Sequence, residues 1–345
     1  MLLAEIAKAA KVSPSTVSRA INQPEIVAPE SLERIRAVMQ AHDYQPPPIN
    51  RRRGPKSRKP STLRLAVWFV GAKEGNPALG WFQEKMSLLQ DQSPINRVDL
   101  NMVFSSSPAD LPRQLVQDKF DGVIIQGMEP AAEVMEALQD TPTVWFMTRR
   151  SASFPGDYVE PNNEENGQLA ANHLASQGHR HVAVLSIDPA YSAVSRRTRA
   201  FELRARELGL TTHRILGRQD ASRVSYLEID PLNTESTQLV DALTALSPRP
   251  TGLYAPVDHF AGSLLRALRL AGLQPERDYE LILGNYNPII YNNLEHHPAV
   301  IDINLAVLIR KVIAQLVWRI ENRDCPGRIS VSVSPVLRPA LLSGT

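Results

Sequence analysis

The stretch KVSPSTVSRAIN, residues 11–22, gathers four hydroxyl side chains, one arginine and one asparagine. The hydroxyl and backbone N–H groups of Ser13 and Thr16 can hold phosphate oxygens. Arg19 can reach a guanine edge or a phosphate. Pro14, Ser15 and Ser18 lie on or near a helix N-terminus, the end that enters a major groove first. Ser13 followed by Pro14 is a helix start, a capping side chain before proline at the first helical position. Val12, Val17 and Ile21 supply a face to bury. A second group, RRRGPKSRKP at 51–60, holds six basic residues and no acid. Its chemistry is contact with a polyanion, or the solubility of a linker.

Three segments must position these groups. Residues 1–44 read as three short helices. Leu3, Ile6, Ala7 and Ala10 follow helical spacing, and Pro29 opens a third helix with Leu32, Ile35, Arg36 and Met39 on one side. Ala28 is a weak cap for it. This pattern suits a helix-turn-helix, or a small three-helix packing module whose hydroxyls are incidental. Residues 45–62 contain five prolines and the six basic residues, the composition of an extended linker or arm.

From residue 63 the texture changes. The runs LRLAVWFVG, VDLNMVF, FDGVIIQG, TPTVWFM, HVAVLSID, TGLYAPV and YELILGN alternate with helical patterns. This is the signature of parallel strands joined by crossover helices. The length of 63–345 exceeds one ordinary sheet. The fold expected is therefore a small all-α head plus an α/β body of two doubly wound parallel-sheet lobes. Ligands in such sheets bind beyond the carboxyl ends of the strands.

The bulk numbers agree with this division. The chain has 345 residues and a net charge of +2. Residues 1–60 carry 11 Lys and Arg against 5 Asp and Glu, while the remainder carries 27 against 31. A basic head on an acidic body points the head at a polyanion. No run of about 18 apolar residues exists, so no membrane span is expected. The one cysteine, Cys325, excludes an internal disulfide and fits a reducing cytoplasm. There is no P-loop, no Gly-x-Gly-x-x-Gly, no cysteine pair with metal spacing, and no carboxylate spaced to join His296-His297. Neither a cofactor, a metal nor an enzymatic role is expected.

The order of residues in LAEIAKAAKVSPSTVSRAIN (3–22) resembles the N-terminal signature of the lactose-repressor/galactose-repressor family, and Tyr44-Gln45-Pro46 resembles that family's closing Tyr-x-Pro. Lys11 departs from the usual turn glycine and must take a left-handed conformation. The resemblance implies that Pro14 and Ser15 choose bases, while Arg19 and Asn22 fix register. The family's linker usually carries a short hinge helix whose leucine wedges into the minor groove. On this chain the pattern places Asn50 for the alanine, Arg51 for the arginine and Arg53 for the leucine. What remains is arginine-rich and proline-stiffened, and resembles basic Arg-Gly-Pro arms that lie in narrow A·T minor grooves. Arg51, Arg52 and Arg53 are accordingly expected in the minor groove, or on phosphates without preference.

The resemblance continues through the body. VEPNNEENGQLAANHLASQGHRHVAVLS (159–186) is similar to a family stretch in which Asn162 replaces Asp and Asn166 replaces the first Gly. The resemblance implies a fold like periplasmic sugar-binding proteins, a homodimer and a small effector in the cleft. His173 and His179 read as packing and capping residues. RRTRAF (196–201) resembles the family's Arg-x-x-Gly-Phe, which places Arg197 at the effector arginine in the cleft, the alternative being a surface arginine on a helix. Asp258 matches the family, with Val257 in place of its Asn, and either touches ligand or caps the next helix. In LGNYN (283–287), Tyr286 stands where an aspartate commonly accepts sugar hydroxyls, and its ring can stack on a sugar face. Asn76 resembles the Asn of a first-lobe Asn-Pro. Trp81 and Phe82 follow it, in the pocket or in the core. Together these readings imply a regulator that binds double-stranded, palindromic DNA as a homodimer under control of a small-molecule effector, a sugar or sugar derivative being one candidate class. The alternative is an architectural DNA binder whose body only dimerises.

Overall fold

In the computed structural model, the described residues are 3–22, 24, 27–42, 44, 62–74, 80, 86, 98–147, 156–189, 191–217 and 229–340. The chain divides into two units, Met1–Ser61 and Thr62–Thr345.

In the first unit, helices α1 (Leu3–Ala9), α2 (Pro14–Asn22) and α3 (Pro29–Ala41) enclose a small core of Ile6, Ala7, Ala10, Val17 and Ile35. Val12, Ile21, Met39 and Tyr44 pack around it. Of the apolar stripe read from the sequence, Ile6, Ala7, Ala10, Val17 and Ile35 are buried, while Leu32 is half-buried, Arg36 is exposed, Val38 packs on the face of α3, and the side chain of Leu3 lies outside the described residues. Ala28 precedes α3 without a side-chain cap.

The second unit holds two sheets. In lobe 1 the strands are β1 (Leu63–Val70), β2 (Val98–Ser105), β3 (Gly122–Gly127), β4 (Thr143–Phe146), β5 (Asp157–Pro161) and β11 (Ser330–Val333), in spatial order β11-β5-β4-β3-β1-β2 and all parallel. In lobe 2 they are β6 (His181–Ser186), β7 (Thr211–Leu216), β8 (Gly252–Ala255), β9 (Glu280–Leu283), β10 (Ala299–Asp302) and β12 (Val336–Arg338), ordered β12-β10-β9-β8-β6-β7 with β12 antiparallel. The described helices α4 (Arg113–Gln117), α5 (Ala132–Glu136) and α11 (Leu305–Glu321) serve lobe 1. Helices α6 (Asn163–Ser176), α7 (Ser192–Glu207), α8 (Ile229–Thr244), α9 (Ala261–Leu270) and α10 (Pro288–Tyr291) serve lobe 2. Central strands such as β1 are buried on both faces, which explains their unbroken apolar runs.

The chain crosses between the lobes three times, and the crossings are tied together. Asn162 N–H donates to Val333 O at 2.8 Å, and Asn304 Nδ2 donates to Ser334 O at 2.9 Å. Asn304 sits at φ 57°, a left-handed conformation that asparagine tolerates better than most residues.

Gly167 lies inside α6 where that helix meets α7. A Cβ there would stand 2.2 Å from Arg197 O and 2.7 Å from Phe201 N. Glycine ordinarily costs a helix interior about 1 kcal/mol against alanine. Overpacking against backbone costs roughly 3 kcal/mol, so the close approach wins. Gly167→Ala is expected to lose about 2 kcal/mol net, read as a lower denaturant midpoint with an unchanged m-value.

His173 and His179 pack as the sequence suggested. Both Nε2 atoms meet the Glu280 carboxylate, at 2.6 and 2.9 Å, and His179 Nδ1 meets Thr251 Oγ1 at 2.9 Å. Burial pushes the Glu280 carboxyl up, but the bonds and charges of the two histidines outweigh it and hold the pKa at about 2, below the ordinary 4.5. A carboxyl that titrates lower when folded stabilises fully above its unfolded pKa and loses that contribution as pH falls through the folded one. Stability should therefore fall between about pH 4.5 and about pH 2. Glu280→Gln should flatten this acid limb in a pH series of urea melts, by about 3 kcal/mol at most.

Candidate functional site

The head presents α2 through a built cap. Ser13 Oγ accepts from Thr16 N–H at 3.1 Å and lies 2.7 Å from Ser15 Oγ and 2.8 Å from Thr16 Oγ1. The turn before it is closed by Val12 N–H to Ala7 O at 2.9 Å, with Lys11 at φ 54°. Lys11 thus adopts the left-handed conformation its position demands. Val17 is buried, Thr16 and Ser18 are half-buried, and Ser13, Pro14, Ser15 and Arg19 are exposed. One surface therefore gathers short hydroxyls, an apolar proline ring and a cation. Arg19 has no ion-pair partner among the described residues. Asn22 ends α2, and its side chain is outside the described set. Arg51, Arg52, Arg53, Asn76, Trp81 and Phe82 also lie outside the described residues.

In the body, the carboxyl ends of strands from both lobes converge on a cleft. Met147, Tyr158 and Glu160 face it from lobe 1, with Asn163, Tyr191 and Arg197 opposite. Arg197, on α7, is the largest charged side chain there and is only 2% exposed. Its Nε donates to Asn163 Oδ1 at 2.8 Å. Its Nη1 reaches Pro256 O at 2.7 Å, Asn285 Oδ1 at 2.8 Å and Gly284 O at 3.1 Å. Nη2 makes no hydrogen bond among the described residues. Burial pulls the guanidinium's pKa below its ordinary value, against the electrostatic support of Tyr254, Tyr191 and Asp258.

The other two described effector candidates are Asp258 and Tyr286. Asp258 is buried, and its Oδ2 accepts from Asn287 N–H at 2.8 Å. It does not cap α9, whose N-cap Phe260 makes no side-chain cap bond. Burial raises its carboxyl pKa, in spite of the bonds from Asn287 and Asn285 and the charge of Arg197. Tyr286 is absent from the described cleft wall. Its ring meets Tyr291 edge-on at 5.3 Å, and the Arg338 guanidinium stands 4.6 Å over its centroid. Asn285, one residue earlier, is the group at the cleft.

Side-chain contacts span the lobes at the cleft. Tyr191 O–H donates to Met147 O at 2.9 Å, and Arg196 Nη2 donates to Glu160 Oε2 at 2.7 Å. Glu160 also accepts from Asn163 Nδ2 at 3.0 Å. The space left between these groups is about 30 Å³, against roughly 300–1,000 Å³ for ordinary ligand pockets. That is room for no more than a water or two. Sequence reasoning missed Glu160, Asn163, Tyr191 and Asn285. Asn285 was open to the rule that ligands meet the carboxyl ends of strands, because it follows β9 within two residues.

No three His, Cys, Asp or Glu among the described residues are grouped to hold a metal, and no described helix is long and apolar enough to cross a membrane. A helix-turn-helix head joined to a two-lobed, parallel-sheet binding body defines the class: a DNA-binding regulator with a ligand-binding type of body. Residues 2–47 match the sequence model for bacterial regulatory proteins of the lacI family, and residues 171–339 match the periplasmic binding protein-like domain. The first stretch is a lacI-type DNA-binding head and the second a periplasmic-binding-protein-like body. Among curated proteins it is similar to the HTH-type transcriptional repressor PurR of Aliivibrio fischeri, 25% identical over 81% of this chain and 80% of that one. It is also similar to the ribose operon repressor of Haemophilus influenzae, 24% identical over 81% and 80%. Among solved structures, the lac repressor dimer bound to operator and the anti-inducer ONPF aligns over 99% of this chain and 98% of that one, with TM-score 0.61 and 18% identity. A ribose-bound LacI family regulator from Enterococcus faecium aligns over 81% and 97%, with TM-score 0.62 and 17% identity.

Proposed function

We propose that this protein is a sequence-specific repressor of transcription that binds a palindromic operator as a homodimer. Two copies of α2 would lie in successive major grooves, because a two-fold protein matches a two-fold site. The observation that carries this reading is the capped α2, which buries Val17 and exposes Pro14, Ser15 and Arg19. Pro14 offers apolar contact to a thymine methyl, and Ser15 is a short hydrogen-bonding group. Arg51, Arg52 and Arg53 would follow in the minor groove near the operator centre. A small polar molecule, sugar-like in its hydrogen-bonding groups, would bind Arg197 Nη2 in the cleft and shift the lobes. Such control requires a different affinity for the two lobe arrangements.

Selection of genomic fragments by the full chain tests the operator half. A few enriched sites sharing a palindrome, lost in Arg19→Ala, is the expected result, and enrichment with no shared site would overturn it. A second reading, in which no small molecule moves DNA affinity, is favoured by the cleft itself. Its volume of about 30 Å³ leaves no room for a ligand unless Tyr191 releases Met147. Operator binding that no sugar, nucleobase or carboxylate shifts, in wild type and in Tyr191→Phe alike, would favour that second reading.

A further inference from the structure

A second cavity lies outside the cleft, at the opposite end of lobe 1. It holds about 840 Å³, well within the range of small-molecule sites. It opens where β4 and β5 begin, at Thr143 and Asp157. β4 is two strands from β1, so the cavity is roughly 10 Å along the sheet from Leu63, where lobe 1 starts.

We propose that this cavity is a second regulatory ligand site, and that it takes an amphiphilic organic cation. Its base is complete without a ligand. Arg319 Nη2 and Nε donate to the two Asp157 oxygens at 2.6 and 2.9 Å, and Arg319 Nη1 donates to Cys325 O at 2.8 Å. Asp157 also accepts from Gln315 Nε2 at 2.7 Å and Ile329 N–H at 2.9 Å. This pair fixes the cavity's shape and cancels its own charge. Buried Met135 and Leu138 give an apolar wall. The charges left over are Glu136, Asp140 and Arg323, all exposed and without ion-pair partners among the described residues. Two acids against one base leave a net negative charge. The last turn of the seventeen-residue α11, which reaches the cavity at Arg319, adds the negative end of its dipole. An ammonium group over Glu136 and Asp140, with an apolar body against Met135 and Leu138, satisfies both features. An anion meets a net repulsion.

The occupant also touches control. Asp157 and Glu160 stand three residues apart on β5, so the strand at the base of this cavity carries the cleft's carboxylate at its other end. This regulatory half rests on the function proposed above, whereas the binding half does not.

The matched probes 4-phenylbutylamine and 4-phenylbutyrate share an apolar body and differ in charge. Calorimetric titration of the full chain is expected to show amine binding with Kd roughly 1 mM, and carboxylate binding at least about tenfold weaker. Glu136→Gln with Asp140→Asn should weaken amine binding about fivefold, and Ala132→Trp at the exposed rim should abolish it. An unchanged melting temperature in both variants separates lost binding from lost fold. Equal affinity for the two probes, binding indifferent to Ala132→Trp, or no binding of either would overturn the site. Amine binding that leaves operator affinity unmoved would overturn its regulatory half, while failure of operator binding itself would instead strike the proposed function.

Discussion

Arg197→Met is expected to destabilise the body by about 4 kcal/mol and to lower its melting temperature by roughly 10 °C, with no ligand present. Methionine fills much of the volume but donates nothing. Arg197 serves four acceptors, and Gly284 O alone keeps a second donor, Asn166 Nδ2 at 2.8 Å. Asn163 Oδ1, Pro256 O and Asn285 Oδ1 would lose their Arg197 bonds in a site that is nearly dry. Each buried acceptor left unmade costs about 1–3 kcal/mol. Arg197→Lys should fall between, because one ammonium cannot reproduce a planar fork. Thermal melts of the three proteins decide the matter. A loss below about 1 kcal/mol would mean that water replaces the guanidinium and that the cleft stands open in solution.

Arg197 also shows how far the sequence could be read. Its place in RRTRAF gave its position, and the reading weighed a cleft arginine against one on the surface. Neither alternative foresaw that nearly all its donors end on the protein's own oxygens. Those acceptors come from residues 163, 256, 284 and 285, which no local pattern brings together. The same limit explains Tyr286. Position in LGNYN marks a strand end, but rotation about that end puts Asn285 toward the cleft and Tyr286 against Tyr291 and Arg338.

Strands followed a similar rule. Most runs buried on both faces were legible, because an unbroken apolar segment has few other homes, but the short, fully buried β10 was missed. β7, with the sequence TTHRIL on a sheet edge, and β5, with Asp157 and Glu160 at its two ends, lack that texture and were missed. β11 and β12 follow the last helix as short, half-exposed strands whose partners lie far back in the chain. The head was the most legible part. Its core is built from neighbours at helical spacing, and its cap is a contact of three residues.

The largest effect expected on DNA binding comes from the arm. Replacing Arg51, Arg52 and Arg53 together by alanine should weaken operator binding about 100-fold at roughly 0.15 M salt. It should also reduce the slope of log K against log salt by roughly 2.7, because each phosphate neutralised contributes about 0.9. That much follows for any arm that meets the backbone. Minor-groove reading adds a second term. A narrow A·T groove carries enhanced negative potential, so a wild-type complex should discriminate an A·T from a G·C operator centre, and the triple variant should not. Arg53 stands where the family's wedge is a leucine, so intercalation and kinking are not expected from this position. Arg53→Leu tests the point: it should lose the salt term of one charge without gaining DNA bending. Measured across operators of different centre, a loss of affinity equal for all of them would reduce the arm to phosphate contact. A loss confined to A·T centres would make Arg51, Arg52 and Arg53 part of how this protein chooses its site.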